Sequence, residues 1–567
     1  MQAPIDFADI TAETPTLSTV TAEYQVIQTQ FNQAQTSEQR KSILEQWDAL
    51  RRRLSTWKEL TQLHFHQDTQ NPEYKTALDY CSELSPSLLA LEIDLKRQLI
   101  HSPYRAELEQ SLGRQAFLLW EADITTFEPT IAADLVEESK LTNEYTELIA
   151  SAKLEFQGQQ VNLSGLQPYL QSKDRDIRHQ AEQCRWQFFE QNQDRFDLLF
   201  DRLVKLRDRM AKKLGYENYI ALGYPRMRRV DYDQTDVECY REQVVQEVVP
   251  LAIELIGQQA QRLKLDTVYF WDESVFDAEG SPAPIGGHDW MLERAQEMFD
   301  AMNPSLGSFF RMMVEQHLLD LQNRPQKAGG GFCTSFATYD LPYVFANFNG
   351  TKNDVQVLVH EIGHAFQMWQ SRHLPVFDYL WPTLESCEIH SMSLELLTRS
   401  QMEKFFGDRA EQFRRQQLAW SILFLPYGVA VDHFQHLVYA NPEATPQERH
   451  QMWQQMEARY LPWRKYGDLN YLNKGGLWQD KQHIYCSPFY YIDYTLAGCC
   501  ALQFWVKAEE DYSRALAEYI ALCDRGGSAS FRELVRSANL ISPFEPGALT
   551  QVVEKVRSSL KVKRSQT

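Results

Sequence analysis

The residues best suited to chemistry are two histidines and a glutamate in the segment HEIGH, at positions 360–364. Residues four apart share one face of an α-helix, so the imidazoles of His360 and His364 can bind a single metal ion. Glu361 lies about 100° away around the helix, where it can hold a metal-bound water without being a ligand itself. Two neutral imidazoles with an open position are typical of a hydrolytic zinc centre.

The helix that carries these residues is predicted to be buried. Its apolar flank consists of Val355, Val357, Leu358, Ile362, Ala365, Phe366 and Trp369. A helix that is apolar on most sides packs inside a protein, and a buried group of histidines and a glutamate needs a partner such as a metal ion. The alternative, an exposed helix with two surface histidines, does not account for this flank.

A catalytic zinc ion needs three protein ligands and a water, so a third ligand must lie elsewhere in the chain. The metzincin pattern does not apply, because the seventh and tenth residues after His360 are Gln367 and Gln370 rather than glycine and histidine. We therefore expect a carboxylate from a following helix, which begins near Pro382-Thr383.

Three glutamates follow that helix start, namely Glu385, Glu388 and Glu395. Glu388 and Glu395 lie seven residues apart on one helix face, so one could bind the metal while the other orients a ligand histidine. The spacing alone does not distinguish Glu385 from Glu388 as the third ligand.

Composition and charge restrict the class of protein. The chain has 567 residues, of which 43% are hydrophobic, and a net charge of −20. This charge argues against nucleic acid as a partner, and no run approaches the roughly 18 apolar residues of a membrane span. The N-terminal segment lacks a secretory pattern, and the nine cysteines show no paired spacing. We therefore predict a cytoplasmic protein that does not bind membranes.

Most of the chain shows the apolar spacing of three and four residues that is typical of helices. The segments with this spacing are 38–62, 86–120, 174–213, 235–264, 286–322, 385–407 and 411–440. Glycine and proline predict breaks at Ser102-Pro103, Gly165, Gly215, 223–225 and 279–287.

One region departs from the helical pattern. After the glycines at 329–331, the segment 332–350 is rich in aromatic and β-branched residues, with Asp340 and Pro342 near its middle. We predict two short strands joined by a turn. The free edge of such a strand could pair with an extended peptide; the alternative is a hairpin that only closes the core.

Four stretches together resemble the M3 family of zinc metallopeptidases and, within it, the oligoendopeptidase F group. They are NFNGT at 347–351, HEIGHAF at 360–366, ESCEIHSMSLE at 385–395 and HIYCSPFYYIDY at 483–494. The stretch LGYENYIALGY at 214–224 is also similar, and the resemblance extends from about residue 200 to 550.

The resemblance implies a mainly α fold. The expected architecture is a large, two-lobed helical body with a deep substrate channel and a zincin catalytic core that carries a small β-sheet. We expect an N-terminal helical lobe over 1–195 and a catalytic domain over 196–560. The resemblance also implies that Glu388 is the third zinc ligand and that Glu395 supports the site from behind.

The resemblance places transition-state groups in the stretch 483–494. The candidates are His483, Tyr490, Tyr491 and Tyr494. A phenol or imidazolium aimed at the developing oxyanion is what amide hydrolysis requires. We favour His483 and Tyr494, although other members of the group often carry a tyrosine at the position of Ile492.

These observations predict a metalloendopeptidase with one zinc ion that cleaves internal bonds of short, unstructured oligopeptides. A zinc metallocarboxypeptidase of the helical H-E-x-x-H type is an alternative, which would need a cation to recognise the free C-terminal carboxylate. A non-catalytic peptide-binding helical protein is a remote alternative. It predicts loss of the base or of a ligand, and all of these residues are present.

Overall fold

Helices account for most of the chain, as the apolar spacing predicted. The computed structural model describes residues 5–562. The helices of its N-terminal part are α1 (Leu17–Gln33), α2 (Ser37–Gln67), α3 (Pro72–Ile100), α4 (Arg105–Leu112), α5 (Arg114–Thr125), α6 (Ala132–Ala150), α7 (Gln167–Leu170), α8 (Arg175–Gln191), α9 (Gln193–Lys213), α10 (Tyr219–Arg226), α11 (Gln234–Gln243) and α12 (Val249–Leu263).

The remaining helices include those expected to carry the catalytic residues. They are α13 (His288–Met302), α14 (Pro304–Glu315), α15 (Lys352–Ser371), α16 (Leu384–Leu397), α17 (Glu403–Phe406), α18 (Ala410–Ala440), α19 (Pro446–Tyr460), α20 (Asn470–Asn473), α21 (Gln482–Cys486), α22 (Tyr491–Glu510), α23 (Tyr512–Arg525), α24 (Phe531–Ser537) and α25 (Thr550–Ser559). Within residues 5–562, no helix is both long enough and apolar enough to cross a membrane.

The strands form two small sheets. Strands β1 (Leu154–Phe156) and β2 (Gln159–Val161) make a short hairpin, and β3 (Leu319–Gln322), β4 (Phe332–Phe336) and β5 (Leu341–Phe348) make a three-stranded sheet in the order β3-β5-β4. The predicted strand pair is confirmed, since β4 and β5 run antiparallel with Phe332 opposite Phe345. Strand β4 lies at the edge of this sheet.

Two details of the predicted secondary structure are wrong. The predicted helix over 286–322 is two helices, α13 and α14, separated at Asn303. The second ends at Glu315, because the backbone at His317 turns left-handed (φ 54°) and the next residues pair in parallel with β5 as β3. The predicted break at 223–225 lies inside α10. Pro225 occupies the last turn of that helix, where its missing N–H removes only a single helical hydrogen bond.

The helical body has two lobes with separate cores. A smaller core lies among α1–α5 and contains Trp47 and Trp120, whereas the main core surrounds the three-stranded sheet and the C-terminal helices. Buried Asp378 joins the lobes, since its carboxylate accepts hydrogen bonds from Arg51 Nη1 (2.6 Å) and Trp120 Nε1 (2.9 Å) and lies 3.3 Å from Arg228.

Candidate active site

Helices α15 and α16 pack unusually closely, and a glycine permits this approach. A Cβ atom added to Gly363, in the middle of the HEIGH segment, would lie 2.6 Å from Cα of Ser391 on α16. Any larger residue would therefore push the two helices apart. Because they touch here, the side chains of His360 and His364 face Glu388 across the interface.

His360, His364 and Glu388 form what we call the metal group. Their candidate ligand atoms all lie within 4.8 Å of one another. The Oε2 atom of Glu388 is 3.2 Å from Nε2 of His360 and 3.4 Å from Nε2 of His364. Burial acts to raise the pKa of the Glu388 carboxyl, but the facing histidines outweigh it and hold that pKa well below its usual value. Two imidazoles and one carboxylate are a donor set that suits catalytic zinc.

Further contacts orient the members of the metal group. Nδ1 of His360 lies 2.7 Å from Oε1 of Glu395, which leaves Nε2 free to face Glu388. Two hydroxyls donate hydrogen bonds to the Glu388 carboxylate, one from Ser391 to Oε2 (2.8 Å) and one from Tyr490 to Oε1 (2.5 Å). Glu388 therefore lies on the Nε2 side of His360, where a metal ion would bind, and Glu395 lies on the Nδ1 side, where it orients the ring.

Glu385 lies apart from the metal group, although it is on the same helix. Its carboxylate accepts a hydrogen bond from Thr383 Oγ1 (2.7 Å). Burial and the charge of Asp493 raise the pKa of this carboxyl to about 8. The spacing of the glutamates did not distinguish Glu385 from Glu388 as the third ligand. In the structure, Glu388 faces the two histidines, whereas Glu385 contacts Thr383.

Glu361 borders the cavity beside the metal group. The side chain is buried, and its Oε2 atom has no hydrogen-bond partner among residues 5–562. Burial raises the pKa of Glu361, and the nearby His360 and His364 oppose that shift. A Cβ atom added to Gly331 would lie 3.3 Å from Oε1 of Glu361, so the glycine leaves this carboxylate open to the cavity.

The cavity above the metal group has a volume of about 520 Å³. Its walls come from α2, the segment 329–335 with most of β4, the segments 377–384 and 482–494, and the metal group. A neighbouring cavity of about 720 Å³ continues it between α2 and α3. The two cavities share six lining residues, namely Ser55, Glu59, Phe377, Leu384, Cys486 and Ser487. The edge strand predicted to bind peptide therefore lies beside the metal group, in a channel between the lobes.

The stretch 483–494 contributes a histidine and two tyrosines to this cavity, and we call His483, Tyr490 and Tyr494 the tyrosine group. Nε2 of His483 lies 3.1 Å from the Tyr494 hydroxyl, and the rings of Tyr490 and Tyr494 stack at 5.0 Å. Burial lowers the pKa of His483 to about 4, so its imidazole is neutral at physiological pH.

Tyr491 is placed differently from its neighbours. Its ring packs against Phe424 and Tyr427, with centroid distances of 5.8 Å to each, and it lines a separate cavity. Adjacent residues on a helix point about 100° apart, which explains why Tyr491 does not face the metal group. Ser391, which donates a hydrogen bond to Glu388, was not predicted as a site residue; its spacing of three residues from Glu388 is the sequence signal that marks it.

Two family models of peptidases match this chain. The family model of peptidase family M3 matches residues 168–280 and 294–551, and the model of the peptidase M3 N-terminal domain matches residues 7–127. The chain belongs to peptidase family M3. It is therefore a peptidase, and the resemblance inferred from the sequence motifs is confirmed.

Solved structures of oligoendopeptidase F proteins share the fold. One chain assigned to oligoendopeptidase F is 45% identical, with a TM-score of 0.97 and 99% of each chain covered. A second, from Bacillus anthracis, is 39% identical, with a TM-score of 0.93, and covers 99% of this chain and 98% of its own. PZ peptidase A, solved with an inhibitor, is 43% identical, with a TM-score of 0.97. The match covers 99% of this chain and 100% of the other.

A curated relative, the oligoendopeptidase F homolog of Mycoplasma pneumoniae, is 26% identical over 250 residues. This match covers 41% of the chain and spans only 38% of the relative's length. These comparisons confirm the mainly α, two-lobed fold that the motifs predicted.

Proposed function

We propose that the chain is a zinc-dependent oligoendopeptidase that hydrolyses internal bonds of short, unstructured peptides. The observation that carries this proposal is the convergence of His360, His364 and Glu388 beside the edge strand β4. A bound zinc ion would polarise the scissile carbonyl and lower the pKa of a water molecule.

Glu361 is the proposed general base. It lies beside the metal group with one carboxylate oxygen free of protein partners within residues 5–562. Its raised pKa makes it a better proton acceptor than an exposed glutamate. We propose that Glu361 takes a proton from the attacking water and delivers it to the departing amine.

Tyr494 and His483 are the proposed partners of the oxyanion. Burial raises the pKa of Tyr494 well above its usual value, so its hydroxyl stays protonated and can donate a hydrogen bond. Tyr490 supports the carboxylate of Glu388. We assign Tyr491 to packing, because its ring lies against Phe424 and Tyr427.

The lining of the catalytic cavity favours internal cleavage over C-terminal trimming. A carboxypeptidase needs a cation to hold the free carboxylate of its substrate. Among the described residues that line this cavity, none is an arginine or a lysine, and the cations Arg51, Lys58 and Arg226 line only the neighbouring cavity. The cavity also continues into the larger one between α2 and α3, which gives room for a chain that extends beyond the cleaved bond.

The channel and strand β4 favour short, extended substrates. Strand addition uses main-chain hydrogen bonds, so it requires an extended peptide and tolerates many side chains. We therefore expect cleavage to depend on peptide length more than on sequence. A folded protein seldom offers such a segment and does not fit between the lobes.

The test is mass spectrometry of the products from a mixed peptide library, with and without a metal chelator. Internal cuts that disappear with the chelator and return on adding zinc are expected. The matched arm digests one protein in its native and its denatured form. C-terminal trimming would support the carboxypeptidase instead, and efficient cleavage inside the native protein would exclude the oligopeptidase function.

Two broader assignments belong to the same proposal. We assign residues 1–195 to a helical lobe and 196–560 to the catalytic domain. We also place the enzyme in the cytoplasm, which is supported by nine cysteines that are all free thiols.

A further inference from the structure

Phe489 precedes the first tyrosine of the tyrosine group and has a strained backbone. Its φ of 66° lies in the left-handed region, which a bulky side chain rarely adopts. Such a conformation persists only where the surrounding structure holds it, and these positions are concentrated at functional sites. The contacts that hold Phe489 therefore also fix the direction in which the chain enters Tyr490, the next residue.

Two buried side chains hold the backbone of Phe489. Its N–H donates a hydrogen bond to Oε1 of Gln435 (2.9 Å), and its carbonyl oxygen accepts one from Nη2 of Arg229 (2.6 Å). The ring is fully buried, and a Cβ atom added to Gly223 would lie 2.6 Å from it. The peptide groups on both sides of the strained residue are therefore fixed.

Arg229 also fixes the first turn of α22. Its Nη2 atom donates to Oδ1 of Asp493 (2.8 Å), and both side chains are completely buried. Phe489 and Asp493 are four residues apart, and each directly precedes a residue of the tyrosine group. Tyr490 is the N-cap of α22 and Tyr494 lies four residues further on, with the two rings stacked at 5.0 Å. Anchoring the backbone before Tyr490 and the side chain of Asp493 therefore fixes the rotation of the face that carries both tyrosines.

We propose that Arg229 is a positioning residue for catalysis, which aims Tyr490 and Tyr494 at the metal group by anchoring Phe489 and Asp493. This inference rests on the proposed function, since it concerns the same tyrosines. Arg229 touches neither the cavity nor the metal group and acts through the residues that it anchors.

A second buried arginine provides a matched control. Nη2 of Arg449 donates to Asp201 Oδ1 (2.9 Å) and to the carbonyl of Pro442 (3.1 Å), which repeats the pattern of one carboxylate and one carbonyl. In both arginines Nε and Nη1 lack hydrogen-bond partners among the described residues. Arg449 lies on α19 and does not line the catalytic cavity.

The experiment compares Arg229→Lys with Arg449→Lys. Both hydrogen bonds of Arg229 come from Nη2, whose two N–H directions are fixed by the planar guanidinium. A lysine keeps the charge but has a shorter side chain and a freely rotating ammonium group, so it does not fix these directions. Arg229→Lys is expected to lower kcat by about 10- to 100-fold with little change in KM, as small misplacements of catalytic groups do. Both variants should lose similar thermal stability and keep their zinc, and Arg449→Lys should retain nearly normal kcat.

A double-mutant cycle with Tyr494→Phe separates positioning from general stability. If Arg229 acts through the tyrosines, the two changes must be strongly non-additive, so that Arg229→Lys costs little once the hydroxyl is gone. Additive effects, or equal kcat losses in the two lysine variants, would overturn the inference.

Gln435→Met provides a second route if Arg229→Lys does not fold. It removes the acceptor for Phe489 N–H while keeping the side-chain length, and the same loss of kcat at constant zinc content is expected. Normal kcat in Gln435→Met together with normal kcat in any folded Arg229→Lys would overturn the positioning role. If Tyr494→Phe itself has normal kcat, the proposed role of the tyrosine group fails first, which distinguishes the two failures.

Discussion

The metal group and the tyrosine group meet in one cavity but depend on different parts of the chain. His360, His364 and Glu388 come from α15 and α16, two neighbouring helices that approach closely at Gly363. The tyrosine group comes from 483–494, and its orientation depends on residues as distant in sequence as Arg229. Local helix geometry positions the first group, whereas long-range contacts position the second.

This difference separates binding of the metal from stabilisation of the reaction's charge. Changes in the metal group should alter zinc content, whereas changes at His483 and Tyr494 should alter turnover at constant zinc content. Tyr490 links the two groups, because its hydroxyl donates a hydrogen bond to Glu388. Variants in each group can show whether zinc content and turnover change independently.

Two glutamates of α16 test the metal group with the largest expected effect. Glu388 and Glu385 are both 1% exposed, but only Glu388 faces the histidines. Glu388→Ala should lose zinc and with it nearly all turnover, because a three-ligand site becomes a two-ligand site. Glu385→Ala should keep its zinc. The measurement is metal analysis after gel filtration, and the opposite result for the two variants would reverse the assignment of the third ligand.

Glu361 should separate metal binding from chemistry within the HEIGH segment itself. Glu361→Gln keeps the shape of the side chain but removes the base, so kcat should fall by about 10²–10⁴-fold. Zinc content should match that of the wild type, because Glu361 is not among the residues whose ligand atoms converge. Loss of zinc in this variant would mean that Glu361 is a ligand or supports one.

The shared helix faces within the metal group could be predicted from the sequence, because they follow from helix periodicity. The spacing of four between His360 and His364 placed them on one face, and the spacing of seven placed Glu395 behind Glu388. The choice between Glu385 and Glu388 depends on how α16 is rotated against α15. That rotation follows from the contact of Gly363 with Ser391, which no local pattern reveals.

In the fold, too, features set by local sequence could be predicted and features set by long-range contacts could not. Long helices such as α2 and α18 follow from their apolar spacing, and the hairpin of β4 and β5 follows from its aromatic residues and turn. Strand β3 could not be predicted, because its pairing partner β5 lies beyond β4 in the chain and the left-handed turn at His317 carries no glycine. Non-local pairing is what local patterns do not encode.

The smallest of these effects is expected in the tyrosine group, and it distinguishes two adjacent rings. Tyr494 lies 3.1 Å from His483 in the catalytic cavity, whereas Tyr491 packs against Phe424 in another cavity. Tyr494→Phe should lower kcat by about 10²–10³-fold, the usual cost of one oxyanion donor, with KM and zinc content nearly unchanged. Tyr491→Phe is the matched control, since it removes a tyrosine hydroxyl three residues away and should leave kcat nearly normal. The measurement is steady-state kinetics of both variants on one peptide. A large loss of kcat in Tyr491→Phe with none in Tyr494→Phe would show that α22 is rotated differently in the working enzyme. The contacts of Arg229 with Phe489 and Asp493 would then not set the orientation of the tyrosine group.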